Sequence, residues 1–283
     1  MKSRALSKKR KGMSRTTKKI LLHLTLLILA LLMIFPFFYL FKLSLQPDED
    51  VRQLPIKFLP STLRFSNYVT VVHHYPILKQ FLNTVIYSST TTILTITTAA
   101  LATYALAKLN LPGSRIIILF FIATIFLPPN MRAIPMYTMM AKWGWVDTWQ
   151  GMILPLSATG FSIFFIYQFM ITIPTELLDA ARIDGASEAA IFWRIVLPIA
   201  KPALGTMALY NFLFRWRGYI WPLVMTRGSV TTLSVGLSAF KTGEHLIPWN
   251  LVGAAAMFLF LPSLFLFLGL RRYIMSAVTM EFK

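Results

Sequence analysis

Residues 20–41 run for 22 positions without a Lys, Arg, Asp or Glu, and an α-helix needs about 20 apolar residues to cross the hydrocarbon core of a bilayer. Five further apolar stretches follow at 84–107, 116–127, 151–173, 202–226 and 251–270. Lipid has no water to pair with backbone N–H and C=O groups, so such runs settle there as helices that satisfy their own backbone. The chain is therefore predicted to be an all-α membrane protein, a polytopic bundle of about six transmembrane helices. The run at 116–127 is short and stops at Pro128-Pro129; it can span only if it is broken or extends toward Met140 beyond the prolines. The run at 84–107 is rich in Thr, Ala and Ser, side chains small enough to let helices approach closely, so it should pack inside the bundle. The first run is longer than the apolar region of a secretory signal and no A-x-A-like site follows it, so it reads as a span that stays. Residues 46–80, with Asp48-Glu49-Asp50 and several Pro, read as a loop.

Charge supports the same solvent. Only 13% of the 283 residues are charged and 56% are hydrophobic, against roughly 25% charged in a soluble domain. A net charge of +18 would suggest a nucleic-acid partner if it were spread over a soluble surface. Here nine Lys and Arg crowd into residues 1–19 with no acid among them, directly before the first span. That placement suits cytoplasmic retention and anionic lipid headgroups, and nucleic acid is not an expected partner. Six spans put both termini on one side. That side carries seventeen basic residues, the nine of the tail with Lys108, Arg115, Arg182, Arg194, Lys201, Arg271, Arg272 and Lys283. The other side carries nine, Arg132 among them, so both termini are expected in the cytoplasm. The expected organisation is a basic cytoplasmic tail (1–19), a membrane domain (20–270) with a loop at about 174–202, and a short cytoplasmic C-terminal tail (271–283). With no Cys, disulfides and thiolate metal sites are excluded.

The loop is the least ordinary segment. It reads as helix, turn, helix: Thr175 as N-cap, Glu176 in the first turn, and Gly185 where a C′ glycine would end the first helix. Ser187 can cap the second helix, and Pro198 and Pro202 should punctuate its exit toward the membrane. Ala180, Ala181, Gly185 and Ala186 make a smooth surface flanked by Asp179, Arg182, Asp184 and Glu188. Such a helix can enter a groove on a partner. Equally, the stripe Ile191, Phe192, Ile195 and Ile199 would let the segment lie on the membrane surface. Local chemistry leaves both open.

This segment resembles the cytoplasmic loop of binding-protein-dependent ABC importer permeases, whose signature is Glu-Ala-Ala, three residues, then Gly. Here it stands as Asp179-Ala180-Ala181, Arg182-Ile183-Asp184, then Gly185, with Asp179 one methylene shorter than the usual Glu. The longer run, with Ala186, Phe192, Arg194, Ile195, Leu197-Pro198 and Pro202, is similar to carbohydrate-type permeases of the maltose-transporter class. Weaker echoes spread over most of the chain: Ser66-Asn67-Tyr68, Asn83-Thr84, Tyr104 to Lys108, Leu111-Pro112-Gly113, Ile134-Pro135-Met136-Tyr137 and Trp221-Pro222-Leu223. The resemblance implies a sugar or oligosaccharide permease subunit of the bacterial inner membrane that forms half of a translocation pathway. It implies a second homologous permease subunit, a dimer of ATP-binding subunits and an extracytoplasmic solute-binding protein as partners. Asp179, Ala180, Ala181, Asp184 and Gly185 would then form coupling helices seated on the ATPase. ATP and Mg would belong to that ATPase and no cofactor to this chain, which contains no G-x-x-x-x-G-K-[ST] phosphate loop.

Polar groups inside spans are expensive and point to function. The fifth run holds Asn211, Arg215, Trp216 and Arg217. Asn211 and Arg215 share a helix face, whereas Arg217 lies about 200° round from Arg215. The related permeases usually carry Trp-Asn-Asp-like residues where this chain has Trp216-Arg217-Gly218. The basic replacement points to an anionic cargo such as a uronate oligosaccharide or a sugar phosphate. The alternative is that one Arg pairs with a neighbouring subunit and the other snorkels outward. His73-His74 lies in the predicted loop with no third ligand nearby and reads as solvated, so no metal site is expected. No predicted span contains Asp or Glu and no G-x-S-x-G occurs. This disfavours both an intramembrane enzyme and an ion-coupled secondary transporter, the two competing readings.

Overall fold

A computed structural model describes residues 15–53, 57–240 and 248–280. Among them the chain is helical, with no strand. The expected basic tail lies outside the described residues up to residue 14, as do Lys241 and Lys283 and the side chains of Arg271 and Arg272. Four helices are long and apolar enough to cross a bilayer, and the number rises to six when each of two bent helix pairs is counted as one span.

Helix α1 (Arg15–Ser44) turns its side chains outward along almost its whole length; Met33 is 72% exposed. Such a surface is untenable in water and ordinary in lipid. The helix touches the bundle mainly along α14 (Trp249–Met280), where Phe37 stacks on Phe260 at 4.7 Å.

The stretch 46–80, expected as a loop, instead holds two short helices, α2 (Asp48–Arg52) and α3 (Ser66–His74). Their order has a physical source: the last carbonyls of a helix need partners. Asn67 Nδ2 donates to Ser44 O at 3.0 Å and to Gln46 O at 2.9 Å, closing the end of α1. The buried Asp50 pairs with Lys57 at 2.8 Å and accepts from Ser61 N.

Helix α4 (Ile77–Lys108) begins seven residues before the expected span and forms the middle of the bundle, against α8 (Gly160–Met170) and α11 (Leu197–Trp216). Its Thr84, Ser88, Thr91, Thr95, Ala99 and Thr103 recur every three or four residues and are all buried. A stripe of small side chains lets backbones approach, as the composition led us to expect.

The third and fourth spans are broken. Helices α5 (Ser114–Ile125) and α6 (Pro129–Lys142) meet at 104°, around Pro128 and Pro129, which have no N–H to continue the ladder. Helix α7 (Trp149–Ile153), extended by a 3-10 turn (Leu154–Leu156), meets α8 (Gly160–Met170) at 42°. Neighbouring hydroxyls take up the carbonyls left free at the second break. Thr95 donates to Leu156 O at 3.1 Å and Thr98 to Ser157 O at 2.6 Å.

Helices α9 (Thr175–Ile183) and α10 (Glu188–Ile191) form the inter-span loop. Contrary to the expected stop at Pro198 and Pro202, α10 continues through a π turn (Phe192–Val196) into α11 (Leu197–Trp216), making one helix from Glu188 to Trp216. The wider turn lies just ahead of Pro198, where the ring would otherwise crowd the preceding turn. The fifth run is instead interrupted at Arg217–Tyr219, before α12 (Ile220–Met225) and α13 (Leu233–Ala239).

Asp147, in the left-handed region at φ 59°, joins the α6–α7 connection to residues 227–230. It accepts from the backbone N–H groups of Arg227 and Ser229 and from the Ser229 hydroxyl. Partial burial works against its ionisation, but these hydrogen bonds outweigh it and hold the carboxyl at about 2. The clamp is therefore fully charged at neutral and mildly acidic pH, and is lost only as pH falls through that value.

Gly160 marks a tight crossing of α8 on α5. A Cβ there would lie 2.2 Å from Thr124 Oγ1 and 2.3 Å from Phe121 O, so α5 would have to move its backbone. Gly160→Ala is expected to cost about 1–3 kcal/mol by overpacking and to lower the melting temperature of the detergent-purified protein. Gly205→Ala, inside α11 where a Cβ meets nothing within 4 Å, should not lower it and should raise it slightly, since Ala is the better helix former.

Candidate functional site: an exposed helix pair and an arginine-lined cavity

Helix α9 stands on the buried Leu178, with Asp179, Ala180, Asp184 and Gly185 exposed and Ala181 half-buried. Thr175 is the first helical residue and not the cap; Pro174 precedes it and its fixed φ sets the start of the helix, so no side-chain cap forms. At the other end Gly185 takes φ 83°, its N–H bonds Arg182 O at 3.0 Å, and Ala186 N–H bonds Ala181 O at 2.9 Å. This pair of bonds is a Schellman closure, and it needs the left-handed residue that glycine supplies without a Cβ penalty. Ser187 caps α10 by accepting from Ala190 N at 3.3 Å.

Arg182 holds the two helices together. It pairs with Asp179 at 2.6 Å and with Glu188 at 2.7 Å, and Glu188 also accepts from the Tyr104 hydroxyl near the end of α4. Lys108, the last residue of α4, donates to Ile173 O, just before α9. The stripe offered to a membrane surface is divided: Ile191 and Phe192 are buried in one cluster with Tyr104, Ile166 and Met170 and anchor the pair to the bundle, Ile195 is half-buried against that cluster, and Ile199 is exposed. On the outside, with Leu177 and Trp193 also exposed, Ile183 is the most exposed at 87%, set among small and acidic residues. Sequence reasoning passed over Ile183, since an apolar residue at a helix end carries no pattern of its own.

The second feature is a cavity of about 290 Å³ between α4, α6, α11 and α12. Both broken spans supply its wall: Pro129 and Asn130 at the start of α6, and Ala158 and Thr159 at the break before α8. Asn211 and Arg215 line it. Asn211 donates to Ser162 Oγ at 3.0 Å and to Met207 O at 2.9 Å, and Arg215 Nη2 reaches Leu156 O at 3.4 Å. Trp216 and Arg217 do not line it. The Trp216 indole is buried on the opposite face, donating to Leu259 O at 2.8 Å and stacking on Phe212, while Arg217 lies exposed beyond the end of α11. The 100° step between helical residues separates them from Arg215.

Arg132, placed by alternation of spans in an external segment, lines this same cavity, because the bend at Pro128 turns the first turn of α6 back into the bundle. Tyr87, Tyr210 and Trp221 complete the aromatic part of the wall. The adjacent prolines inside an apolar run were the only sequence signal for this. His73 and His74 end α3, and His74 Nδ1 sits 3.0 Å from Thr70 O.

Comparison with known proteins gives the family. Residues 77–280 match the family model described as binding-protein-dependent transport system inner membrane component. The chain is 30% identical over 267 residues to the arabinooligosaccharides transport system permease protein AraQ of Bacillus subtilis (strain 168), covering 92% of this chain and 94% of that one. It is 32% identical over 257 residues to the sn-glycerol-3-phosphate transport system permease protein UgpE of Salmonella typhimurium, covering 88% and 92%. In structure it is similar to a chain from a bacterial ABC transporter involved in the import of the acidic polysaccharide alginate, with a TM-score of 0.83, 26% identity, and coverage of 93% of this chain and 99% of that one. With the family model spanning most of the chain and relatives matched nearly end to end, this protein belongs to the binding-protein-dependent transport system inner membrane components, the permease subunits of ABC importers.

Proposed function

We propose that this chain is one permease half of an ATP-driven importer for an anionic sugar, a uronate oligosaccharide or a sugar phosphate, and that α9 and α10 dock a separate ATP-binding subunit. One observation carries the coupling. The helix that begins at Glu188, in the exposed pair, runs without interruption to Trp216 and carries Asn211 and Arg215 to the cavity wall. A force applied at α9 and α10 is transmitted along a rigid helix to the cavity, and through Glu188 and Tyr104 to α4 as well. Ile183 gives a partner groove an apolar contact, and the small residues at Ala180 and Gly185 let it close without a clash.

The remaining parts follow from that division of labour. ATP and Mg sit in the ATP-binding subunits, since this chain carries no phosphate-binding loop. A second permease subunit completes the pathway, and a solute-binding protein outside the membrane delivers the cargo. Both termini lie in the cytoplasm of the bacterial cell, where the basic N-terminal tail meets anionic lipid. The anionic class is supported by the relatives named for glycerol 3-phosphate and alginate and by a cavity lining with two Arg and no Asp or Glu.

Two outcomes test the coupling in proteoliposomes holding the complete transporter. Gly185→Asp, which forces a side chain into the left-handed region at a cost of roughly 1–2 kcal/mol, should abolish ATP-driven uptake while the purified chain keeps its helical circular dichroism. Normal uptake would contradict the docking role. Tyr104→Phe removes the hydroxyl donated to Glu188. It should raise the ATP consumed per sugar imported with little change in melting temperature; an unchanged ratio would remove α4 from the coupling route.

A further inference from the structure

Two cations in the cavity wall, the buried Arg215 and the half-buried Arg132, have no anion beside them among the described residues. Arg215 is more than nine-tenths buried, its Nε has no hydrogen-bond partner, and its neighbours are neutral: Leu156 O at 3.4 Å from Nη2, the Tyr87 hydroxyl and the Phe214 ring. Arg132 Nε is likewise enclosed and unpaired. A desolvated guanidinium without an anion is costly, and two on one cavity cost more because they also repel. No Asp or Glu lines the cavity to neutralise them. The positive end of the α6 dipole adds to the imbalance, since its first residues Pro129 and Asn130 line the same space and no side chain caps it.

We propose that Arg132 and Arg215 together form an anion-binding site that receives the carboxylate or phosphate group of the cargo as it crosses. Guanidinium groups present N–H donors in a planar fork that matches either oxyanion, so the shared chemistry is a tetrahedral or planar oxyanion attached to a sugar-sized body. Tyr87, Tyr210 and Trp221 supply flat apolar surface for that body. The two broken spans give the site its reason to lie here: irregular backbone is tolerated at membrane depth where it lines a polar cavity. This inference rests on the reading of the chain as an importer half.

The test uses the complete transporter in proteoliposomes with three probes: an alginate trisaccharide, sn-glycerol 3-phosphate and neutral arabinotriose. Arg132→Gln and Arg215→Gln should each raise the KM for the transported anionic probe by roughly tenfold or more, the loss of one charged hydrogen bond. Arg132→Lys and Arg215→Lys should recover part of it, and Arg217→Gln, off the cavity, should change nothing. The carboxylate and phosphate arms decide which oxyanion is read. Unchanged KM in both Gln variants overturns the site. So does loss of assembly in the Gln and Lys variants alike, which would mean that an acid of the second permease subunit pairs with these arginines. ATP-coupled import of arabinotriose alone would leave the importer reading standing and remove this one. Failure to import any of the three under ATP would bring down the reading on which it rests.

Discussion

A peptide group left unpaired in hydrocarbon costs several kcal/mol, and this chain interrupts its helices at three places inside the membrane domain. At two of them the freed carbonyls find hydroxyls or a guanidinium from another element, and at the bend between α5 and α6 a hydroxyl of the same helix serves. Thr95, Thr98 and Arg215 serve Leu156 and Ser157; Ser234 serves Gly218 at 2.6 Å; Thr124 serves Phe121 within the turn that ends α5. The Thr-rich face of α4 therefore has two duties. Its small side chains let α8 and α11 approach, and its hydroxyls make the break beside them tolerable. Removing that face would leave the bundle without both its close packing and its cavity.

From that arrangement comes the relation between the two sites. The exposed pair α9 and α10 is tied to the bundle by the buried Leu178, Ile191 and Phe192 and by the chain of contacts from Asp179 through Arg182 and Glu188 to Tyr104. The charged contacts are partly exposed and contribute little to stability singly. Their value is directional: they keep α9 at a set angle to the helix that leads from Glu188 to the cavity. The π turn ahead of Pro198 keeps that helix continuous where a proline would ordinarily break it. In the proposed mechanism, motion at the loop and exposure of Asn211 and Arg215 are two ends of one rigid body.

How much of this could be read beforehand varies with the range of the forces involved. The apolar runs, the turn at Gly185 and the cap at Ser187 depend on neighbours within a few residues, and all were legible. The start of α4 at Ile77 and the helices α2 and α3 were not, because side chains distant in sequence, such as Asn67 reaching Ser44 and Gln46, hold them. Trp216, next to Arg215 in sequence, is turned away from the cavity that Arg215 lines, since its indole finds Leu259 O on α14.

The sequence by itself determined the solvent, the apolar runs, the helix pair around Gly185 and the shared face of Asn211 and Arg215, because periodicity and local backbone preference are properties of short segments. Only the tertiary structure decided that Arg132 lines the same cavity as Arg215. Pro128 and Pro129 say that a helix must break, but the angle of 104° comes from the packing of α6 against α12 and the rest of the bundle. That angle turns a residue assigned to an external segment into half of a cationic cavity wall.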